Sequence, residues 1–246
     1  MYYGWRGKIG HVCPAIYDTG AYEFEKILPQ GVITVTVTLN VQQLVASEFE
    51  RAAGIMIEGA RKLAEEDAGV VITGGDPIIT MKGVGSDQKI IAEIRELIGK
   101  PASTSITTAM DGLRAVGAKR IAIASPYTEE RNLILKKFLE GNGFEVAAVK
   151  SLGIVKNVDL TRLPFHTSYK LALEAFRAAQ GIQGIYLPCA RWAVVGNLRP
   201  IEEDTGACAV SSIQSMAWFG LKTLGIREKI TGYGKLLESL GQPGRG

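Results

Sequence analysis

The sequence predicts an α/β protein of two pseudo-symmetric lobes, each a parallel sheet flanked by helices, with the active site in the cleft between them. Short apolar or β-branched runs alternate with segments of helical periodicity, as in parallel sheets covered by helices. The same plan occurs twice, because Pro14 and Gly75 lie 61 positions apart and Pro126 and Cys189 lie 63 apart. We therefore expect an N-terminal lobe over residues 1–117 and a C-terminal lobe over 118–246.

The first lobe begins with a strand at 8–14 that stops at a proline. Its clearest strand is 33–39, which is rich in β-branched residues. Ser47 is a candidate cap for a helix over 48–66, whose apolar face would carry Phe49, Ala52, Ala53, Met56, Ala60 and Leu63. The remaining predicted elements of this lobe are strands at 70–72 and 100–104 and helices at 86–98 and 106–116.

The second lobe repeats this order from a strand at 119–126 that also stops at a proline. Its predicted strands are 119–126, 144–150, 184–187 and 207–212, and its predicted helices are 129–141, 160–180 and 213–224. The C-terminal helical region, 213–240, is a candidate to pack back on the first lobe.

Composition excludes several classes of function. The net charge of +3 over 246 residues is spread along the chain, which argues against dedicated nucleic-acid binding. No apolar run approaches the roughly 18 residues of a membrane span, so we expect a cytoplasmic protein with no membrane partner. Three cysteines without CxxC spacing and only two histidines supply neither a zinc site nor a Ser-His-Asp triad.

Cys189 is the candidate catalytic residue. The apolar run 185–187 predicts a buried strand that ends at Pro188-Cys189, and a helix is predicted to start at 190–192. Ligands of open α/β sheets bind at the carboxyl ends of strands, beside helix N-termini. Packing in the core is the alternative for Cys189 and the favoured interpretation for Cys13 and Cys208.

Three further features of the sequence could bind the carboxylate of an acid. The turn Gly74-Gly75-Asp76-Pro77 offers backbone amides that can bind an anion, although a tight turn with Asp76 as helix cap is the alternative. Tyr127 follows a strand and could donate its phenol to a carboxylate. Arg191 would pair with a substrate acid or, equally, lie solvated at the helix start, where it would favour a thiolate at Cys189.

Several segments in order resemble the aspartate/glutamate racemase superfamily, most closely the branch of arylmalonate decarboxylase and maleate cis-trans isomerase. The resemblance covers about residues 8–238 and lies in the segments IGHVCP, ARKLAEEDAGVV, DGLRAVGAKRIAIASPYTEERN, SLGI, IYLPC and GYGKLLE. Racemases and isomerases of this superfamily resemble each other in having two active-site cysteines, one from each lobe. This chain resembles the decarboxylases, with Gly75 (or Gly74) at the first position and Cys189 at the second.

The resemblance implies a decarboxylase of malonate-like acids that needs no cofactor and no metal. One thiol suits a reaction that makes a carbanion by loss of CO2 and protonates it from one side, whereas racemisation requires a group on each face. The intermediate would be an enediolate held by Tyr127 and by the backbone amides of 75–77 and 190. The substrate-binding candidates are Pro14, Phe49, Gly75, Asp76, Pro77, Tyr127, Asn157, Ala190 and Arg191.

The sequence departs from the decarboxylase pattern at Asp76-Pro77, where the family has Thr-Ser, and at Ala190-Arg191, where it has two glycines. The second hypothesis is therefore an isomerase or racemase that uses Cys189 with Asp76. A third is a binding protein that keeps the cleft without the chemistry. We expect the partner to be a small carboxylic acid, and the chain to be a monomer or a small homo-oligomer.

Overall fold

The computed structural model describes residues 2–242 and contains two four-stranded parallel sheets. The strands of the first sheet lie in the order Val32–Thr38, Gly7–Cys13, Val70–Thr73 and Ala102–Thr104, and those of the second in the equivalent order Glu145–Ser151, Arg120–Ser125, Gly184–Leu187 and Cys208–Ser211, which confirms the predicted two-lobed α/β architecture. The first sheet and its helices are β1 (Gly7–Cys13), α1 (Thr19–Ile27), β2 (Val32–Thr38), α2 (Ala46–Glu65), β3 (Val70–Thr73), α3 (Asp76–Thr80), α4 (Ser86–Ile98), β4 (Ala102–Thr104) and α5 (Ser105–Ala115).

The second sheet repeats this arrangement with one more helix. Its elements are β5 (Arg120–Ser125), α6 (Glu129–Gly141), β6 (Glu145–Ser151), α7 (Asn157–Leu160), α8 (Thr167–Arg177), β7 (Gly184–Leu187), α9 (Leu198–Thr205), β8 (Cys208–Ser211), α10 (Ser212–Thr223) and α11 (Lys235–Glu238). Strands β3 and β7 are buried along their whole length, which explains why they are continuous apolar runs and do not alternate with polar residues.

The apolar face predicted for α2 is buried against the first sheet, with only Ala53 half-buried. The predicted cap is wrong, however, because the helix begins at Ala46 and Ser47 lies in its first turn. Helix α1 was not among the predicted elements. It begins where the carboxylate of Asp18 accepts a hydrogen bond from the backbone N–H of Thr19 at 2.6 Å.

Two helix predictions in the second lobe need correction. The helix predicted over 160–180 is shorter: α8 begins only at Thr167 and ends at Arg177, because Pro164 supplies no N–H and restricts the residue before it, and the short α7 ends at Leu160. The helix predicted to start at 190–192 is absent. Those residues form a turn, closed by the indole N–H of Trp192 on the carbonyl of Pro188 at 2.8 Å, and α9 begins only at Leu198.

The two lobes meet along α5 and α10, which pack against each other. The hydroxyls of Thr108 and Ser215, one from each helix, lie 3.2 Å apart in this contact. Helix α10 also lies against α1 and β3 of the first lobe. Within residues 2–242, no helix combines the length and the apolar character needed to cross a membrane.

Candidate active site

A cavity lies between the lobes at the carboxyl ends of β1, β3 and β7. It opens to solvent and is lined by residues of both lobes. Apolar side chains form much of its wall, and the polar groups are few. All the residues predicted to bind substrate line this cavity together with Cys189: Pro14, Phe49, Gly75, Asp76, Pro77, Tyr127, Asn157, Ala190 and Arg191.

Cys189 occupies the turn that follows β7, with an unusual positive φ of 78°. The backbone N–H of Arg191 and the hydroxyl of Tyr127 lie near its sulfur and act to lower the pKa of the thiol. Burial raises the pKa of the thiol to about 12, and the negative charge of Asp76 acts in the same direction. Because no helix starts next to it, the thiol lacks the helix-terminus effect that would favour a thiolate, and it is neutral near pH 7.

The equivalent turn after β3 carries glycines. Gly75 has a φ of 94°, so it shares the left-handed conformation of Cys189, and the backbone N–H of Gly74 donates to the carbonyl of Val12 at 2.8 Å. A Cβ atom added at Gly75 would lie 2.8 Å from Cδ1 of Ile78. A side chain at this position would therefore require Ile78 to move, and Gly75 presents only backbone to the cavity where Cys189 presents a thiol.

Asp76 begins α3 and is buried, with 3% of its surface exposed. The hydroxyls of Ser105 and Tyr186 each donate to one of its carboxylate oxygens, and its own backbone N–H points to the same carboxylate. Burial raises the pKa of this carboxyl above its ordinary value, while the two hydroxyls act to lower it. Pro77 has no N–H, and the N–H groups of Gly74 and Asp76 already have acceptors. The backbone N–H of Gly75 is therefore the one in this turn that can donate to a ligand.

Tyr127 and Arg191 differ in how free they are to bind a ligand. Tyr127 is buried, and burial together with the nearby sulfur of Cys189 raises the pKa of its phenol well above the usual value, so it stays a neutral donor. Arg191 is already paired across the lobes: its Nη2 lies 2.9 Å from Oδ2 of Asp18 and its Nε 3.3 Å from Oδ1. It is neither a solvated arginine nor part of a helix start.

Phe49 and Asn157 shape the cavity wall on opposite sides of the lobe boundary. Phe49 is buried beneath the guanidinium of Arg131, 5.1 Å from the ring centre. The side-chain amide of Asn157 donates to the carbonyl of Val41 at 2.7 Å, which joins a loop of the second lobe to one of the first. Asn157 therefore positions the loop over the cavity.

The sequence matches a known protein family over almost the whole chain, including the residues that line the cavity. The model of the arylmalonate decarboxylase family matches residues 11–237. This chain belongs to the arylmalonate decarboxylase family. That membership confirms the resemblance that the sequence segments indicate.

Relatives of known name agree with this assignment. The chain is 29% identical to the arylmalonate decarboxylase of Bordetella bronchiseptica over 201 residues, which cover 81% of this chain and 84% of the relative. It is 27% identical to a maleate isomerase of Pseudomonas putida over 139 residues, 56% of this chain and 54% of the relative. Both activities therefore occur among its relatives.

Solved structures give the same fold. A crystal structure of arylmalonate decarboxylase has a TM-score of 0.82 at 25% identity, covering 94% of this chain and 99% of the other. The maleate isomerase Iso of Pseudomonas putida S16 has a TM-score of 0.88 at 19% identity, covering 95% and 99%. At that identity the second likeness concerns the fold alone.

This family member also has polar residues in its cavity that sequence reasoning did not select. His11 and Cys13 point to the same side of β1 by the two-residue period of a strand, and both line the cavity. Burial lowers the pKa of His11 to about 4 and raises that of Cys13 to about 11. Neither imidazole nitrogen has a hydrogen-bond partner among residues 2–242. The expectation that Cys13 packs in the core thus describes its burial but misses its contact with the cavity.

Ser105 and Ser212 complete the polar side of the cavity, and Tyr186 lies behind them in contact with Asp76 and Ser212. The two serines begin α5 and α10 at equivalent places in the two lobes, and the hydroxyl of Ser212 lies 3.4 Å from that of Tyr186. The available signal was the repeated plan itself, which places a helix start after the fourth strand of each lobe at the cleft. Within the described chain no group of three or more His, Cys, Asp and Glu side chains is arranged to hold a metal ion.

Proposed function

We propose that this protein decarboxylates a malonate-type acid and that Cys189 protonates one face of the resulting enediolate. The observation that carries the proposal is a neutral, half-buried thiol on one side of an apolar cavity, with Gly75 at the equivalent position on the other. A single proton donor suits a reaction that creates a carbanion without first removing a proton.

In the first step the bond between Cα and one carboxylate breaks. Its electron pair moves into the remaining carboxylate to form an enediolate, and CO2 leaves. Apolar side chains such as Phe49, Val41 and Leu44 line the cavity and would solvate a carboxylate poorly, which favours its departure. The enediolate would accept hydrogen bonds from the Tyr127 hydroxyl and from the amides of Gly75 and Ala190; such a donor is typically worth ~3 kcal/mol of barrier.

In the second step Cα takes the proton of the Cys189 thiol, and the sulfur becomes a thiolate that solvent reprotonates. Because the proton comes from one side of the cavity, the product should be a single enantiomer. In D2O it should carry one deuterium at Cα. Tyr127, in reach of the sulfur, would stabilise the transient thiolate by its hydroxyl.

The test is incubation of the protein with aryl- and alkyl-malonates in D2O, with CO2 release and the deuterium and configuration of the product measured together. Release of CO2 with a single deuterated enantiomer is expected. The same incubation with chiral 2-substituted acids tests the alternatives. Deuterium exchange into both enantiomers without CO2 release would overturn the decarboxylase, and binding of the acids without any turnover would leave only a binding protein.

An isomerase or racemase is the second candidate, because maleate isomerases are also among the relatives and because a second thiol, that of Cys13, lines the same cavity. Both oxygens of Asp76 already accept hydrogen bonds from Ser105 and Tyr186, which makes Asp76 less suited to act as the base on the opposite face. If exchange without CO2 release is observed, Cys13→Ala is the variant that tests which group serves the second face.

A further inference from the structure

Of the two charged side chains near Cys189, Arg191 is paired with an opposite charge and Asp76 is not. Asp76 comes from α3, Tyr127 follows β5, Tyr186 lies on β7, and Arg191 stands in the turn of Cys189 itself. The two tyrosines are neutral, because burial holds their pKa well above the usual value. The cation of Arg191 is balanced by the two hydrogen bonds to Asp18. In the chain from 2 to 242 no lysine or arginine forms a salt bridge with Asp76.

Asp76 lines the same cavity as Cys189, and two hydrogen bonds hold its carboxylate in place. One carboxylate oxygen accepts from Ser105 at the start of α5, and the other accepts from Tyr186, three residues before Cys189 on the same strand and turn. Both partners donate hydroxyl protons, which favours the ionised carboxylate and opposes the effect of burial on its pKa. The Tyr186 contact links the turn of the first lobe to the strand that carries the thiol.

We propose that Asp76 keeps Cys189 in its protonated form, so that it can donate a proton, and that Asp18 supports this state by neutralising Arg191. Asp76 is then a positioning residue that acts through the thiol and does not bind the substrate acid. Its benefit for decarboxylation rests on the proposed function, whereas its effect on the thiol does not.

The sign of the effect follows from electrostatics. A nearby negative charge disfavours the thiolate, and burial of the thiol acts in the same direction. Removing the Asp76 charge should lower the pKa of Cys189, and removing the Arg191 charge should raise it. Asp18→Asn should act like the Asp76 variants, because it leaves the cation of Arg191 uncompensated.

The experiment measures the rate of alkylation of Cys189 by iodoacetamide from pH 6 to 11, with mass spectrometry of the Cys189 peptide to separate it from Cys13 and Cys208. Asp76→Asn should react ~3-fold faster or more than the unchanged protein at pH 8, and its rate profile should move to lower pH. Arg191→Gln should move the profile to higher pH. Thiol reactivity is read without substrate, so this result is independent of whether malonates are turned over.

Three further variants control for misfolding and for effects that do not depend on the charge at position 76. Asp76→Thr, which is smaller and keeps a hydroxyl for Tyr186, gives a second neutral residue in case the asparagine misfolds. Asp76→Glu retains the charge and should restore the original profile. Asp87→Asn is the matched control, because Asp87 is a buried carboxylate of the same lobe that accepts from Thr107 at 2.8 Å and does not line the cavity.

Profiles of Asp76→Asn and Asp76→Thr that superimpose on that of the unchanged protein would overturn the proposal. So would a uniform rise in rate at every pH, since that reports greater access to the sulfur and no change in its protonation. A shift in Asp87→Asn as large as that in Asp76→Asn would also count against a local charge effect.

Discussion

The turn after β3 and the turn after β7 occupy equivalent places in the two lobes and share a left-handed backbone, yet only one carries a side chain that can react. Gly75 adopts its φ of 94° without steric cost, whereas Cys189 holds a φ of 78° that costs an L-residue roughly 1–2 kcal/mol. A glycine at position 189 would adopt this φ with a smaller steric cost. Backbone strain is therefore retained on the side where a thiol faces the cavity.

The two turns also differ in what holds them. On the first side, Tyr186 of the second lobe donates to Asp76. On the second side, Glu23 of α1 accepts from the backbone N–H groups of Val194 at 2.6 Å and Val195 at 2.9 Å. Each turn is therefore fixed by a polar group of the opposite lobe, and the cavity depends on both lobes being in contact.

The largest expected effect tests the thiol side of this comparison. Cys189→Ala should reduce decarboxylation by ~10³-fold, because the general acid is lost while the cavity stays intact. Cys208→Ala, a half-buried cysteine on β8 outside the cavity, is the matched control and should retain activity. CO2 release that is unchanged in Cys189→Ala would contradict the assignment and point to Cys13.

The second prediction concerns Glu23, which holds the segment after Cys189, and the pH dependence of the free energy of unfolding. Burial raises the pKa of Glu23 to about 7 from an ordinary 4.5, so the folded protein holds this proton more tightly than the unfolded chain. Stability is then fully present below pH ~4.5 and declines as pH rises through 7, by up to ~3 kcal/mol. Glu23→Gln cannot ionise, and urea unfolding at pH 5 and pH 8 should show this decline removed.

Glu25→Gln provides the comparison for that measurement, because Glu25 is exposed on the same helix. It should keep the pH dependence of the unchanged protein. An equal decline in Glu23→Gln and in the unchanged protein would show that other groups cause it.

A smaller effect tests the glycine side. Tyr186→Phe removes the donor that joins the lobes at Asp76 and should lower the free energy of unfolding by ~1–3 kcal/mol, since a buried carboxylate loses a partner. Tyr169→Phe is the control: Tyr169 donates to Asp204 at the exposed surface, and its loss should leave the urea midpoint in place. Equal midpoints for the two variants would refute the role of the buried contact.

The smallest change in stability belongs to Gly75→Cys, which makes the two turns alike. The left-handed backbone should cost about 1 kcal/mol, and Ile78→Val should relieve the contact with Cδ1 at 2.8 Å. With a thiol on each side, the protein should racemise its product, detected by chiral chromatography of product incubated in D2O. Strict retention of one configuration would count against the pairing of the two positions.

The twofold repeat and the ends of the strands could be predicted from the amino-acid sequence. Strand β2 was predictable because its residues are β-branched, and β3 and β7 because strands buried on both faces are apolar throughout. Since the carboxyl ends of parallel strands share one edge, Cys189, Gly75 and Tyr127 were expected to meet, and all three line the cavity. These features depend on local composition and on the period of the chain.

Which polar side chains are already hydrogen-bonded, and which remain available to a ligand, depends on the tertiary structure. Asp76 meets Ser105 and Tyr186, Arg191 meets Asp18, and Glu23 meets the segment that follows Cys189, across separations of up to 173 positions. Local propensity at Ala190-Arg191-Trp192 favoured a helix, but the turn is instead held by contacts with Pro188 and the other lobe. Protonation of the thiol follows from burial and from these long-range charges, which no short stretch of sequence contains.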